Sequence, residues 1–405
     1  MLTSLIEGFV KSRGTLAQNR RNTGLEKERS LTMFVEFLQK QKLEGEEAST
    51  AELTRANLID FVSFYGTREG KRGSKSLSPR TVVKLVGHLR EFSDYLTAHG
   101  KLTESPMDAP FDRAIAGLQS RASQMKGRRN YLPFTDANIR SIFNPQTYLR
   151  HNSAADDFWV PLLGLFTGAR LGELVTLTLA DVTVDDVSGI QVLLLDGKNE
   201  NSRRAVPLAQ TLLDIGFLDY VTHIRAMGAI ELFPNRPMNP TREADPSKHL
   251  SRAFGEHLDR LSLTDPLLVF HSFRHTAISR MHVCEVPVAD AELIVGHAAQ
   301  DASVRSDAAR SHASRPSVHL GTYMHAESYS VAGEPVMARL KRRIDASLTF
   351  ELDVELLAKA AKIVSAHTRA MRTAGGKQVV RSGWHTNGKA ACERAVSSLD
   401  TADAL

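Results

Sequence analysis

Three short segments of this chain gather side chains that hold anions and move protons. In Thr167-Gly168-Ala169-Arg170-Leu171-Gly172-Glu173-Leu174, Arg170 and Glu173 stand three apart, on one face if the segment is helical. His271-Ser272-Phe273-Arg274-His275 repeats that spacing with a histidine and an arginine, and Gly296-His297 follows it. The third segment is Tyr323-Met324-His325. Arginine suits phosphate because its planar fork holds two oxygens at once and does not lose its charge. Histidine, with a pKa near neutrality, can take or return a proton. Taken singly, each segment has an ordinary reading: a surface ion pair, a satisfied core histidine beside a surface arginine, an aromatic core residue.

Residues 1–120 supply only helical patterns. Leu31, Phe34, Val35 and Leu38 predict an amphipathic helix over 25–42, and Leu58, Phe61, Val62 and Tyr65 another over 52–66. Ser78-Pro79 reads as an N-cap with proline at the first helical position. The helix it opens carries Val82, Leu85, Leu89, Phe92 and Leu96 and stops at Gly100. Residues 121–134 lack a period and read as a basic linker. From 135 to 347 the pattern predicts helices near 136–144, 155–166, 209–227, 247–263, 272–282, 287–296 and 335–347. Two short strands, Ile190–Leu195 and Arg204–Leu208, flank a turn-like stretch at 197–201, which makes a hairpin with a basic tip. Residues 298–318 read as a loop or insertion. Residues 348–405 read as a C-terminal helix, over 353–371, and a mobile tail beyond it. The fold class is therefore mostly α with a small antiparallel β-sheet in the second domain.

At 405 residues, 42% hydrophobic and 24% charged, the chain has the composition of an ordinary soluble protein of two or three domains. No window approaches the ~18 apolar residues of a membrane span, and the N-terminus lacks the apolar core of a signal peptide, so a cytoplasmic protein is expected. Two cysteines, Cys284 and Cys392, are too few for a disulfide framework or a cysteine zinc site. Charge is unevenly placed. Residues 1–130 hold 22 Lys and Arg against 15 Asp and Glu, a net of +7 in a chain of +5, so the remainder is net −2. Such a basic region is the electrostatic footprint of a nucleic-acid binder. Its candidates for DNA contact are Lys71, Arg72, Lys75, Arg80, Lys126, Arg128 and Arg129, joined by Arg203 and Arg204 of the hairpin.

In this order, with Lys198 on the hairpin between the first and second segments, the motifs resemble the catalytic domain of the tyrosine recombinase (phage integrase) family. The matching positions are Arg170 with Glu173 and Leu174, Lys198, His271 with Arg274, Gly296-His297, and Tyr323 with His325. Leu77-Ser78-Pro79-Arg80-Thr81 also looks like that family's core-binding domain, so the resemblance covers about residues 20–345. It implies a helical core-binding domain followed by an α+β catalytic domain, forming a clamp around double-stranded DNA. It departs at one point: His297 and Tyr323 are 26 positions apart, more than is usual, which fits an insertion at 298–318. Of the two tyrosines beyond His297, the following x-His favours Tyr323 over Tyr329 as nucleophile.

The implied chemistry is cleavage and rejoining of DNA through a 3′-phosphotyrosyl link, for integration or excision of a mobile element such as a phage. Arg170 and Arg274 would hold the non-bridging oxygens, His271 or His297 would handle the tyrosine proton, and Lys198 would protonate the departing 5′ oxygen. Glu173 would orient Arg170 or a histidine. Fixed cations stand where other phosphoryl-transfer sites use magnesium, so neither metal nor cofactor is called for. The resemblance also implies a homotetramer on DNA, with Val336, Leu340 and Ile344 as a docking edge for a neighbouring subunit, and room for an accessory DNA-bending protein. The rival readings are a topoisomerase-like relaxer and a DNA-binding protein that keeps the fold without cutting.

Overall fold

The structure, a computed structural model, describes residues 1–13, 18–40, 47–67, 77–124, 131–152, 154–196, 203–233, 246–296, 333–372, 378–382, 394 and 396–397. It divides into two units, Met1–Asn130 and Tyr131–Leu405.

The first unit holds α1 (Leu2–Arg13), α2 (Gln18–Gln39), α3 (Arg55–Thr67), α4 (Pro79–Ala98) and α5 (Ala109–Gln124). Helix α4 begins and ends where its sequence says. The Thr81 N–H donates to Ser78 Oγ at 3.2 Å, Pro79 fills the first turn, and Gly100 takes φ +64° just past the end. Its apolar face, Val82, Leu85, Val86, Leu89, Phe92 and Leu96, is buried. Phe34 of α2 and Phe61 of α3 meet edge to face, 5.2 Å between centroids. Helix α1 was not anticipated, yet Leu2, Ile6 and Phe9 recur at helical spacing and are buried. Helix α5 likewise turns Phe111, Ile115, Leu118 and Ala122 inward. It runs to Gln124, so the first residues of the expected 121–134 linker are helical.

The second unit opens with α6 (Asp136–Ile142), α7 (Pro145–His151), α8 (Ala155–Thr167) and α9 (Leu171–Val175). A three-stranded antiparallel sheet follows, β1 (Val182–Val184), β2 (Gln191–Leu195) and β3 (Arg204–Pro207), in the order β1-β2-β3 with Leu193 opposite both Val182 and Val206. The hairpin read from sequence is β2–β3, and β1 adds an edge to it. Then come α10 (Gln210–Asp214), α11 (Phe217–Ala226), α12 (Pro246–Arg260), α13 (Ser272–Val283), α14 (Val288–Val295), α15 (Val336–Ser347), α16 (Val354–His367) and the pair β4 (Thr368–Arg372) and β5 (Gln378–Ser382). The helix expected over 209–227 is two helices, because Gly216 takes φ +96° between them. Helix α8 is buried on all sides and forms the middle of the core, with Trp159 packed edge to face against Phe158 and Phe217.

Three expectations about the C-terminal region are corrected. Leu340 and Ile344 of α15 are buried in this unit's own core and Val336 packs against it, so the edge is not free to dock a neighbour. The helix expected over 353–371 ends at His367, its last residues forming β4; the stretch expected to be mobile from 372 contains β5, and Val396 is buried in the core that also takes Leu357, Ala360, Ala361 and Val364 of α16. The turn-type pair Gly375-Gly376 between two short segments was the trace of a hairpin in the sequence. No helix among the described residues is long and apolar enough to cross a membrane.

Because Ile344 is fully buried in its own unit, Ile344→Ala should lower unfolding stability by about 2–5 kcal/mol. Urea denaturation at several protein concentrations reads this. The loss should not depend on concentration; a loss that appears only where copies associate would return the residue to an interface.

Candidate active site

The first motif sits at the junction of α8 and α9. Helix α8 ends on Gly168 at φ +61°, where an added Cβ would lie 3.1 Å from Val295 and 3.4 Å from Ala277, so the turn requires glycine twice over. The reversal leaves Arg170 as the N-cap of α9. Glu173 reaches back: its Oε2 accepts from the Arg170 N–H at 2.9 Å and its Oε1 from Arg170 Nη1 at 2.9 Å. Such a carboxylate at a helix start satisfies an orphan amide.

Glu173 also binds a residue from another element. Arg204, first residue of β3, donates from Nη2 to Glu173 Oε2 at 2.9 Å, and both side chains are about 5% exposed. Burial alone would raise the Glu173 pKa, but the Arg204 charge and the hydrogen bonds from Arg204 and Arg170 hold the carboxyl below its usual range. Arg204 Nε donates in turn to the Ile294 carbonyl at 2.9 Å. The assignment of Arg204 to DNA contact is therefore corrected, since its guanidinium is committed inside the protein. Arg203, its neighbour, stays exposed with Asp196 3.3 Å away, and Arg80 is exposed in the first unit.

The second motif is built on α13. His271 is its N-cap, and Phe273, Ala277 and Met281 anchor the helix in the core. Arg274 is 2% exposed, and its Nη1 donates to two carbonyls, Gly168 at 2.8 Å and Val295 at 2.5 Å. Its Nη2 is buried and, among the described residues, has no partner. Burial, with Arg170 and Arg204 nearby, lowers its pKa to about 9, which leaves it charged at neutral pH. Burial and the charges of His275, Arg274 and Arg170 bring His271 down to about 4, so it is neutral at pH 7. Its ring stands edge to face with Tyr131 at 5.8 Å and His275 at 5.2 Å.

Helix α14 ends at Gly296, φ +69°. The carbonyls of its last two residues, Ile294 and Val295, take the arginine donors just described. A Cβ on Gly296 would lie 2.7 Å from Arg204 Nη1, which explains the glycine before His297.

The structure thus brings together Arg170, Glu173, His271 and Arg274, and adds Arg204, Tyr131 and His275, which sequence reasoning had given no place in the site. Arg204 left a trace in the sequence: a charge in an otherwise apolar strand must find a buried partner. Lys71, Arg72, Lys75, Lys126, Arg128, Arg129, Lys198, His297, Tyr323 and the 298–318 stretch lie outside the described residues. Among the described residues no group of three or more His, Cys, Asp or Glu converges to hold a metal.

Residues 135–305 match the phage integrase family model. The tyrosine recombinase XerD of Listeria monocytogenes is 27% identical over 215 residues, which is 52% of this chain; the chain spans 62% of that relative's length. Among solved structures, the Tn1549 transposon integrase in complex with transposon right end DNA aligns at TM-score 0.48 and 15% identity, over 80% of this chain and 98% of that one. A lambda integrase dimer bound to a core site aligns at 0.47 and 18%, over 77% and 76%.

The lowered pKa values set a pH test. His271, depressed to about 4, should stay neutral through pH 5 in DNA-free protein, against ~6.5 for a free histidine. Because the unfolded chain gains that proton near pH 6.5, this group's term weakens the fold as pH falls from 6.5 toward 4. Histidine ring NMR measures it; a midpoint above 6 would contradict the site as described.

Proposed function

We propose, from the match of residues 135–305 to the phage integrase family model, that the chain is a site-specific DNA recombinase that cuts and rejoins strands through a 3′-phosphotyrosyl intermediate, for integration or excision of a mobile element. The observation that carries this reading is Arg274 Nη2, buried beside Arg170 and His271 with no partner among the described residues. A buried guanidinium donor without an acceptor costs about 1–3 kcal/mol or more. A non-bridging phosphate oxygen supplies the acceptor, and a phosphorane-like state with more charge on that oxygen supplies a better one. The site is then preorganised for the transition state rather than for the substrate.

In the reaction Tyr323 Oη forms a bond to phosphorus as the bond to the 5′ oxygen breaks. The tyrosine proton passes to a histidine, and Lys198 returns one to the leaving oxygen. His271 is neutral before DNA binds. Burial is the main cause of its lowered pKa, and a phosphate beside Arg170 and Arg274 offsets the part due to those charges, which raises its proton affinity where the tyrosine must be deprotonated. The linkage conserves the phosphodiester energy, so religation needs no ATP. Exchange between two duplexes cuts four strands with one tyrosine per chain, which supports a homotetramer on DNA. An accessory bending protein and action in the cytoplasm belong to the same reading. The basic residues of the first unit supply phosphate contacts, which give affinity and a steep salt dependence rather than sequence choice.

Two substitutions test the chemistry, using nicked duplexes made from the DNA flanking the gene. Tyr323→Phe removes only the attacking oxygen, so duplex binding should survive while the covalent complex, seen on a denaturing gel, disappears. Cleavage by that variant and none by Tyr329→Phe would reassign the nucleophile. Failure of the unaltered chain to form the complex would favour a non-cutting binder, and relaxation without strand exchange a topoisomerase-like enzyme.

Lys198→Ala addresses the general acid. An alkoxide needs a proton to leave, whereas a thiolate does not. The variant should cleave an ordinary duplex slowly and recover near-normal cleavage when sulfur replaces the bridging 5′ oxygen. Equal defects on both DNAs would leave Lys198 only a phosphate contact.

A further inference from the structure

We propose that Arg204 is a positioning residue that fixes the spacing of the separate catalytic segments; the proposal rests on the reading above. Its side chain is 5% exposed, so it does not touch DNA. Through Nη2 it holds Glu173, whose other oxygen binds the Arg170 guanidinium. Through Nε it holds the Ile294 carbonyl at the end of α14, two residues before Gly296 and three before His297. Its backbone pairs with Leu195 at the base of the hairpin whose tip sequence contains Lys198. Arg274 closes the circuit from the other side, because Val295 and Gly168 share its Nη1. One planar cation therefore joins the Arg170 turn, the root of the Lys198 hairpin and the segment leading to His297.

The fork geometry matters more than the charge. Nε and Nη2 bind two acceptors on different elements at once, whereas a lysine ammonium on a flexible stem would satisfy one of them or both loosely. Gly296 belongs to the same device, since its missing side chain is the room the guanidinium occupies: an added Cβ would lie 2.7 to 3.0 Å from Nη1, Cδ and Cζ. Loss of Arg204 also frees Glu173 to spend its whole charge on Arg170, which weakens that arginine's hold on a phosphate as well as its aim.

The test uses the full chain with Arg204→Lys and Gly296→Ala. Nicked flank-derived duplexes carry either an ordinary phosphodiester or a neutral methylphosphonate at the cleavage position mapped with the unaltered protein. Both variants should bind duplex within about threefold of the parent yet form covalent complex about 10- to 100-fold more slowly, the size of loss that follows when a metal ligand is deprived of its outer hydrogen-bond partner. The deficit should shrink on the methylphosphonate, which has less need of correctly aimed positive charge. A stabilising role alone would lower the melting temperature and slow both substrates alike. Backbone hydrogen exchange gives a readout that needs no cleavage: Arg204→Lys should speed exchange in residues 168–174 and 290–296 and leave α4 unchanged. Wild-type rates, equal deficits on the two substrates, or unchanged exchange would each overturn the proposal. If the unaltered protein forms no covalent complex, the functional reading fails and the exchange measurement still decides the role of Arg204.

Discussion

A buried carboxylate shared by two arginines organises the second unit. Glu173 is placed by a short helix, α9, and binds Arg170 from its own turn and Arg204 from the sheet. An ion pair taken out of water gains little net stability, because desolvation cancels most of the attraction. Breaking one half of such a pair is nevertheless costly, since the other half is left buried and charged. Glu173 thus contributes constraint more than energy: it makes one arrangement of Arg170 and β3 far better than any neighbouring arrangement.

The same economy governs the end of α14. A helix leaves its last carbonyls without partners and its C-terminus partly negative. Here Ile294 and Val295 point those carbonyls at Arg204 and Arg274, so the helix end is held by cations that the site already requires. Gly168 and Gly296 are left-handed turns that bring the helix ends close enough for this. Three arginines against one carboxylate leave the described cluster with an excess of two positive charges. Water-exposed lysines would dissipate such an excess, but the buried guanidinium groups of Arg204 and Arg274 are screened far less, and an anionic ligand relieves it.

Much of this was legible in the sequence where the signal was local. Ser78-Pro79 and Gly100 bounded α4, an apolar run followed by a turn-like stretch marked β2 and β3, and the i, i+3 pairs Arg170–Glu173 and His271–Arg274 identified two of the turns that build the site. What escaped depended on contacts between distant segments. Arg204 resembled Arg203 because both are basic and follow a hairpin tip, and only the packing of α14 and α15 over β3 makes one a buried tie and leaves the other in solvent. The apolar edge of α15 has a period that says it is buried, but a period does not say against what. Short helices such as α7 and short strands such as β1 hold too few residues for a period to register at all.

These distinctions bear on how a cationic site tolerates its own charge. Arg170 is 44% exposed along its side chain, so solvent and ligand both reach it, whereas Arg274 is closed in by the carbonyls of Gly168 and Val295. The exposed arginine is free to follow a ligand; the buried one is not, and its Nη2, which has no partner among the described residues, marks a place where an acceptor oxygen fits. A site made only of exposed arginines would bind phosphate in many poses, and one made only of buried arginines would exclude duplex DNA. In the proposed reaction, pairing one of each, with Glu173 and Arg204 setting the distance between their backbones, would admit a long polymer and still present one phosphate in a fixed orientation to an attacking oxygen.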